Sequence, residues 1–367
     1  MSRSDTPYAG LPDHCFWSRS HRDRDLTEID PVVAGHFRVT QETRIATAGS
    51  CFAQHVARYL VDEEFNYFVT ETAHPVISPD VARSFNYGTF SARFGNIYTA
   101  RQLLQLAQRA RGLFKPAEDV WDAGERFIDP YRPTIQPGGF SRRDDYIADR
   151  ERHYAAVRRM MDETELFVFT FGLTEAWRSK SDGAVFPLCP GVSGGRFDAR
   201  KHEFVNFTVQ QVVDDFRAFV ALLRQNNPGC KVLMTVSPVP LAATARADRS
   251  VISATAYSKA VLRVACEELE RAVKDCFYFP SYEIITGQHA RGAYYGDDLR
   301  EVDESGVAHV MSLFMRHYTD LPEDRIKAMA LTGPARDIPL AAGRRAEIER
   351  AMRLICDEEL IEGKPKT

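Results

Sequence analysis

The 367-residue chain carries no excess of either charge: 47 Lys and Arg stand against 51 Asp and Glu, a formal net charge of −4. Without a long-range positive field, the sequence gives no support for a nucleic-acid or anionic-membrane protein. No apolar run approaches the roughly 18 residues that a membrane span requires. The longest, 166–172, is the size of a strand. The opening MSRSDTPYAGLPDHCFW has no apolar h-region, so no secretory signal is expected. Seven cysteines are odd in number and form no Cys-x-x-Cys pair, which argues against a disulfide framework and for a reducing, cytoplasmic setting. There is no His-x-x-x-His pair and no glycine-rich loop ending in Gly-Lys-Ser or Gly-Lys-Thr. Neither a metal nor a cofactor is therefore expected.

What the chain does have is 44% hydrophobic and 11% aromatic content, enough for a sizeable core. Short apolar runs alternate with amphipathic helical patterns. Strands are expected at 44–48, 66–70, 166–171, 231–236 and 277–279. Helices are expected at 52–60, 99–111, 150–163, 208–225, 254–274 and 304–318, with Thr208 and Gln211 spaced as a capping box. This alternation implies an α/β fold, a three-layer α/β/α sandwich around a mainly parallel sheet. Residues 1–39 read as an N-terminal extension and 40–320 as the main domain. The Pro- and Gly-rich stretch 114–147 reads as an insertion loop or lid. Residues 321–367 read as a tail with a polar helix near 343–360.

In parallel sheets chemistry collects where strands end at their carboxyl edge. At the first such place stands Thr47-Ala48-Gly49-Ser50-Cys51-Phe52-Ala53. The amino end of a helix stabilises a thiolate and offers N–H groups to an anion. The plainer possibility is that Ser50 caps the helix and Cys51 is a small buried residue.

The string Gly49-Ser50-Cys51-Phe52-Ala53 resembles the motif for which GSCFA-domain proteins are named. The likeness continues through Asn86-Tyr87-Gly88-Thr89-Phe90-Ser91-Ala92-Arg93-Phe94-Gly95-Asn96-Ile97-Tyr98-Thr99, Phe171-Gly172-Leu173-Thr174-Glu175-Ala176-Trp177, Thr235-Val236-Ser237-Pro238-Val239-Pro240 and Phe279-Pro280-Ser281-Tyr282-Glu283-Ile284. That family is similar to the SGNH (GDSL-like) hydrolases, and the resemblance implies their fold and an ester-directed activity, hydrolysis or acyl transfer. The substrate would be a small molecule or glycan, with no nucleic-acid or membrane partner. The rival is a non-catalytic protein that keeps the cleft for a carbohydrate or acyl ligand.

Laid over the Gly-Asp-Ser block of those enzymes, Gly49-Ser50-Cys51 puts Cys51 at the nucleophile position; an alignment with Ser50 attacking stays open. Gly95 and Asn96 fall at the oxyanion block, although Gly-Asn is also ordinary turn chemistry. In Gly172-Leu173-Thr174-Glu175, Thr174 stands where the resemblance implies an asparagine. In the last block Asp298 fits the aspartate, but Glu301 replaces the histidine. Glu301 as a desolvated base, a histidine from elsewhere (His202 or His74), or loss of hydrolysis are the alternatives. His309 reads as a half-buried helix residue. Arg93 and Arg178 are candidates to hold an anionic group, and 187–195 reads as a loop suited to closing over a ligand.

Overall fold

The computed structural model describes residues 6–331 and 357–362. They fall into two compact units, residues 6–40 with 279–331, and residues 41–278 with 357–362. The chain runs α1 (Trp17–His21), β1 (Ile45–Gly49), α2 (Ala53–Asp62), α3 (Pro79–Ser84), α4 (Ala100–Ala110), β2 (Trp121–Ala123), β3 (Arg126–Ile128) and α5 (Arg143–Glu163). Next come β4 (Leu166–Phe171), β5 (Glu175–Ser179), β6 (Val185–Phe186), β7 (His202–Asn206), α6 (Val209–Arg224), β8 (Lys231–Val236), α7 (Val251–Ala272) and β9 (Cys276–Tyr278). α8 (Ser281–Thr286), α9 (Glu304–Tyr318), α10 (Glu323–Leu331) and a 3₁₀ turn at Asp357–Glu362 complete it. The helix expected near 343–360 lies, up to residue 356, outside the described residues.

The larger unit is built on a four-stranded sheet in the order β1-β4-β8-β9, with every neighbouring pair parallel. Helices flank it, giving the expected three-layer α/β/α architecture. β4 is buried at all six positions, as a strand covered on both faces must be. Alternation sends Phe167, Phe169 and Phe171 to one face, against Phe216 and Phe219 of α6 at ring separations of 4.9–5.5 Å. Both Thr99–Gln102 on α4 and Thr208–Gln211 on α6 close as capping boxes, which fixes where those helices begin.

Two expectations are corrected, and a second sheet is found that the sequence reading did not foresee. The strand expected at 66–70 is a single bridge: Asn66 and Phe68 pair with Ile45, then Thr70 turns away to Ser91. The outer edge of β1 is instead met by the Ser91 hydroxyl, which accepts from the Thr47 N–H (3.0 Å). The stretch 114–147 is not an open lid. It contains the hairpin β2–β3, and Trp121, Asp129, Arg132, Ile135 and Phe140 within it are buried. A second, antiparallel sheet, β6-β5-β7, follows the end of β4. The loop 187–195 lies beside it, with Gly195 packed on the Trp121 ring and Gly194 on Ile128.

In the smaller unit α9 is the central element, buried along most of its length. Val39 bridges to Thr319, and His317 Nε2 bonds Asp30 (2.7 Å).

Candidate functional site

β1 ends at Gly49, whose φ of +140° suits glycine; a Cβ there would run into the Thr170 backbone of β4. The strand therefore breaks sharply, and the Ser50 N–H donates to the Thr170 carbonyl (3.1 Å). Ala53 and Gln54 N–H groups then bond back to Ser50 and Cys51 carbonyls (2.9 and 3.0 Å), starting α2. Ser50 and Cys51 thus occupy the turn between strand and helix, each about 3% exposed.

Two other segments meet this turn. The Ile97 N–H donates to the Gly49 carbonyl (2.7 Å), while Gly172 and Leu173 N–H groups both donate to the Tyr98 carbonyl (3.1 and 3.0 Å). A Cβ on Gly172 would stand 3.0 Å from the Ser50 Cβ. Gln54 of α2 donates to Asn96 Oδ1 (3.1 Å). Gly49–Cys51, Gly95–Asn96 and Gly172–Thr174 are therefore brought together at the carboxyl edge of the sheet.

The side-chain chemistry there is unusual. Ser50 is not a helix cap: the cap position is Phe52, without a side-chain bond. Its hydroxyl is buried with no hydrogen-bond partner, as are those of Thr170 and Thr174. An unsatisfied buried hydroxyl costs on the order of 1–3 kcal/mol, so three around one turn are a marked departure from ordinary core design. The Thr174 N–H donates to Ser258 Oγ (3.0 Å), and Lys259 Nζ, 2% exposed, donates to the Gly172 carbonyl (2.8 Å). One turn along α2, His55 is buried with its Nδ1 unpartnered. Burial, with the Arg58 charge, lowers its pKa to about 3 and keeps the ring neutral. Glu175, half-buried, accepts from the Thr244 hydroxyl (2.9 Å), and burial raises its carboxyl above the usual range.

Asn96 is already engaged. Its Nδ2 donates to Asp357 Oδ2 (3.0 Å), and the other Asp357 oxygen accepts from the Thr134 hydroxyl (3.0 Å). Asp357 is 3% exposed, so the C-terminal 3₁₀ turn sets a carboxylate against the block expected to hold an oxyanion.

The loop carrying Asn96 is braced by a buried ionic cluster. Arg93, 1% exposed, pairs with Asp149 (2.8 Å) and Glu71 (3.5 Å), donates to Phe85 and Ile135 carbonyls and stacks on Tyr87. Arg132 bonds Asp129 (2.8 Å) and Asp149 (2.9 Å). His153 Nδ1 bonds Glu71 (2.7 Å); burial and the Arg132 charge hold this histidine below its usual range. Arg93 is thus a structural strut, not a hold for substrate. Arg178 pairs across the small sheet with Glu203 (2.7 Å).

His202 sits in β7 opposite Ser179, with both ring nitrogens committed: Nδ1 accepts from the Asp198 N–H (3.1 Å) and Nε2 bonds Glu118 (2.9 Å). His74 is exposed and accepts from the Val76 N–H (3.3 Å). Asp298 and Glu301 belong to the smaller unit, both exposed. Asp298 Oδ1 accepts from the backbone of Arg300 and Glu301 (both 2.9 Å), which makes it the cap of its own turn. A desolvated Glu301 is therefore not found. His309, expected half-buried, is fully buried; Nδ1 bonds the Tyr294 hydroxyl (2.6 Å), and burial lowers its pKa to about 4.

Sequence reasoning missed His55, Lys259, Ser258 and Asp357. For one of them a signal existed. Ser258 falls on the buried stripe of α7 with Ala254, Val261, Leu262 and Ala265, a polar residue where an apolar one is expected, and Lys259 is buried beside it. Asp357 gives no local sign of its long-range contact. Among the described residues, no group of three or more His, Cys, Asp or Glu side chains is arranged to hold a metal ion.

A parallel α/β sandwich with a Gly-Ser-Cys turn at the end of its first strand defines the class of this molecule. The chain belongs to the GSCFA family, whose family model matches residues 44–314, most of its length. A comparison with curated proteins gives no match.

Proposed function

We propose that the β1–α2 turn is the centre of an SGNH-like esterase or acyltransferase, with Cys51 as nucleophile. The observation that carries this reading is the Gly49-Ser50-Cys51 break, with an uncapped helix start and unsatisfied hydroxyls packed around it. In this reading the Cys51 thiolate attacks the acyl carbonyl carbon, the alkoxide leaves with a proton, and a thioester forms. A water or acceptor hydroxyl then attacks the thioester carbon, gives up its proton and expels the thiolate. The helix start favours the thiolate, so the reaction depends less on a histidine base than serine chemistry does. Ser50 and Thr174 are the neighbouring hydroxyl donors. Asn96 supplies the oxyanion amide once it exchanges Asp357 for the developing charge; one such donor is worth roughly 100-fold in rate. Glu175, with its raised carboxyl, is the acid–base candidate we favour. A glycan or other hydroxyl-bearing metabolite is the acceptor class we favour. The cysteine usage supports a cytoplasmic setting, and no described helix is long and apolar enough to cross a membrane.

The second reading, a binding protein that retains the cleft, draws on the near-complete burial of Ser50 and Cys51 and on Asp357 at Asn96. A panel of activated esters and acyl donors separates the two. Turnover that disappears in Cys51→Ala supports the enzyme, whereas equal inertness of wild type and variant supports the binder.

A further inference from the structure

Away from this turn, the larger unit contains an open cleft of about 620 Å³ between the end of α4, the start of the 114–147 stretch and one face of α5. Five cationic side chains line it: Arg109, Arg111, Lys115, Arg150 and Arg158. Asp119 and Glu151 are the acids in its wall. Two of the cations are accounted for by carboxylates, Arg111 by Asp162 and Arg150 by Asp119 (2.9 Å). Arg158 caps α4 through the Ala110 carbonyl (2.6 Å) but meets no carboxylate among the described residues. Lys115 is exposed and makes no ion pair among the described residues.

Arg109 is the exception that gives the cleft meaning. It is 8% exposed, its guanidinium lies 3.9 Å over the Tyr131 ring, and its buried Nε has no hydrogen-bond partner. The acid across from it, Asp129, is committed to Arg132 and to the Tyr131 N–H (2.9 Å). A buried guanidinium without a hydrogen-bonded anion is costly, and an anion bound in the cleft would offset that cost. Arg150 adds a second buried Nε without a partner on the same wall. The volume suits a small metabolite, and Phe114 and Tyr154 provide apolar surface for its uncharged part.

We infer that this cleft binds the phosphomonoester group of a small metabolite, held by Arg109, Arg158 and Lys115. A dianion matches three cations that lack carboxylate partners, and guanidinium forks suit phosphate oxygens. The inference does not rest on the activity proposed for the β1–α2 turn.

Calorimetric titration of the full chain tests it with inorganic phosphate, glucose 6-phosphate, adenosine 5′-monophosphate, glucose, adenosine, glucuronate and a short single-stranded RNA oligonucleotide. At least one of the two phosphomonoesters should bind with a Kd of about 1 mM or tighter, and glucose and adenosine should not. Preference between the two identifies a sugar or a nucleoside as the source. Lys115→Ala, an exposed change that leaves the unfolding midpoint in place, should weaken binding roughly 5-fold, and Arg109→Gln should weaken it roughly 10-fold or more. If Arg109→Gln does not fold, Lys115→Ala and Arg158→Gln decide. No binding of either phosphomonoester, unchanged affinity in Lys115→Ala and Arg158→Gln, or preference for glucuronate or for a single-stranded RNA oligonucleotide would each overturn the inference.

Discussion

At Ser50 the hydroxyl is buried without a partner, and one residue later a thiol sits at the start of α2. A helix end assists the thiol more than the hydroxyl, because only the thiol ionises within reach of neutral pH. On an activated ester, Cys51→Ala should therefore lose activity, whereas Ser50→Ala should lose only about 10- to 100-fold, the scale of one donor. The reverse pattern reassigns the nucleophile to Ser50. Asp357 permits a second prediction. Asp357→Ala removes the acceptor from Asn96 and Thr134, so urea denaturation should show a loss of about 1–3 kcal/mol. With Asn96 released, turnover should rise; unchanged turnover would remove Asn96 from the oxyanion role. Gly49, Ser50 and Cys51 were legible as a loaded turn because glycine, strand end and helix start coincide within the seven residues Thr47–Ala53. His55 and Lys259 were not. Nothing in the linear sequence says that a charged or titratable side chain on a helix is buried.

Among the elements, β4 meets α6 through a set of aromatic rings. Phe167, Phe169 and Phe171 meet Phe216 and Phe219, and all five are fully buried. Phe169→Ala should cost about 3–5 kcal/mol, read as a lower urea midpoint at unchanged m value, because the parallel sheet leaves no room to collapse around the void. A loss under about 1 kcal/mol would contradict the packing described. Continuous apolar runs made β4 and β8 readable, and amphipathic spacing made α4 and α6 readable, with a capping box at Thr208–Gln211 marking where α6 begins. The small sheet was missed because its strands lack strict alternation: Ala176-Trp177 and Phe204-Val205 are apolar pairs set between polar residues on half-exposed strands. The hairpin β2–β3 did leave a sign. Gly124, with φ +68°, opens a two-residue turn between Trp121 and Ile128, but the surrounding prolines outweighed it.

Across the whole molecule, several buried titratable groups act in the same direction with pH. His55 and His309 are held neutral by burial, at about 3 and about 4 against an ordinary 6.5. In that window the unfolded chain binds protons that the folded chain refuses, so stability falls as pH drops below 6.5. Burial alone would raise Glu71, but the neighbouring positive charge and hydrogen bonds prevail and bring it to about 2. Its contribution is complete above 4.5 and is lost as pH falls toward 2. The unfolding free energy from urea titration should therefore be flat near pH 7–8 and fall steeply between 6.5 and 3, by about several kcal/mol in total, with the midpoint falling in step. A midpoint constant down to pH 4 would contradict neutral buried histidines. The parallel core was legible because its periodicity is local. The ionic cluster of Glu71, Arg93, Arg132 and His153 was not, because its members come from segments that only the folded chain assembles.

The most direct measurement is mass spectrometry of the intact chain and its peptides after brief exposure to an activated acyl ester at neutral pH. An acyl group should appear on the peptide containing Cys51, be released by hydroxylamine as a thioester is, and be absent in Cys51→Ala. Acylation of Ser50, or of another cysteine at an equal rate, or turnover with no modification at this turn, would contradict the thiol nucleophile.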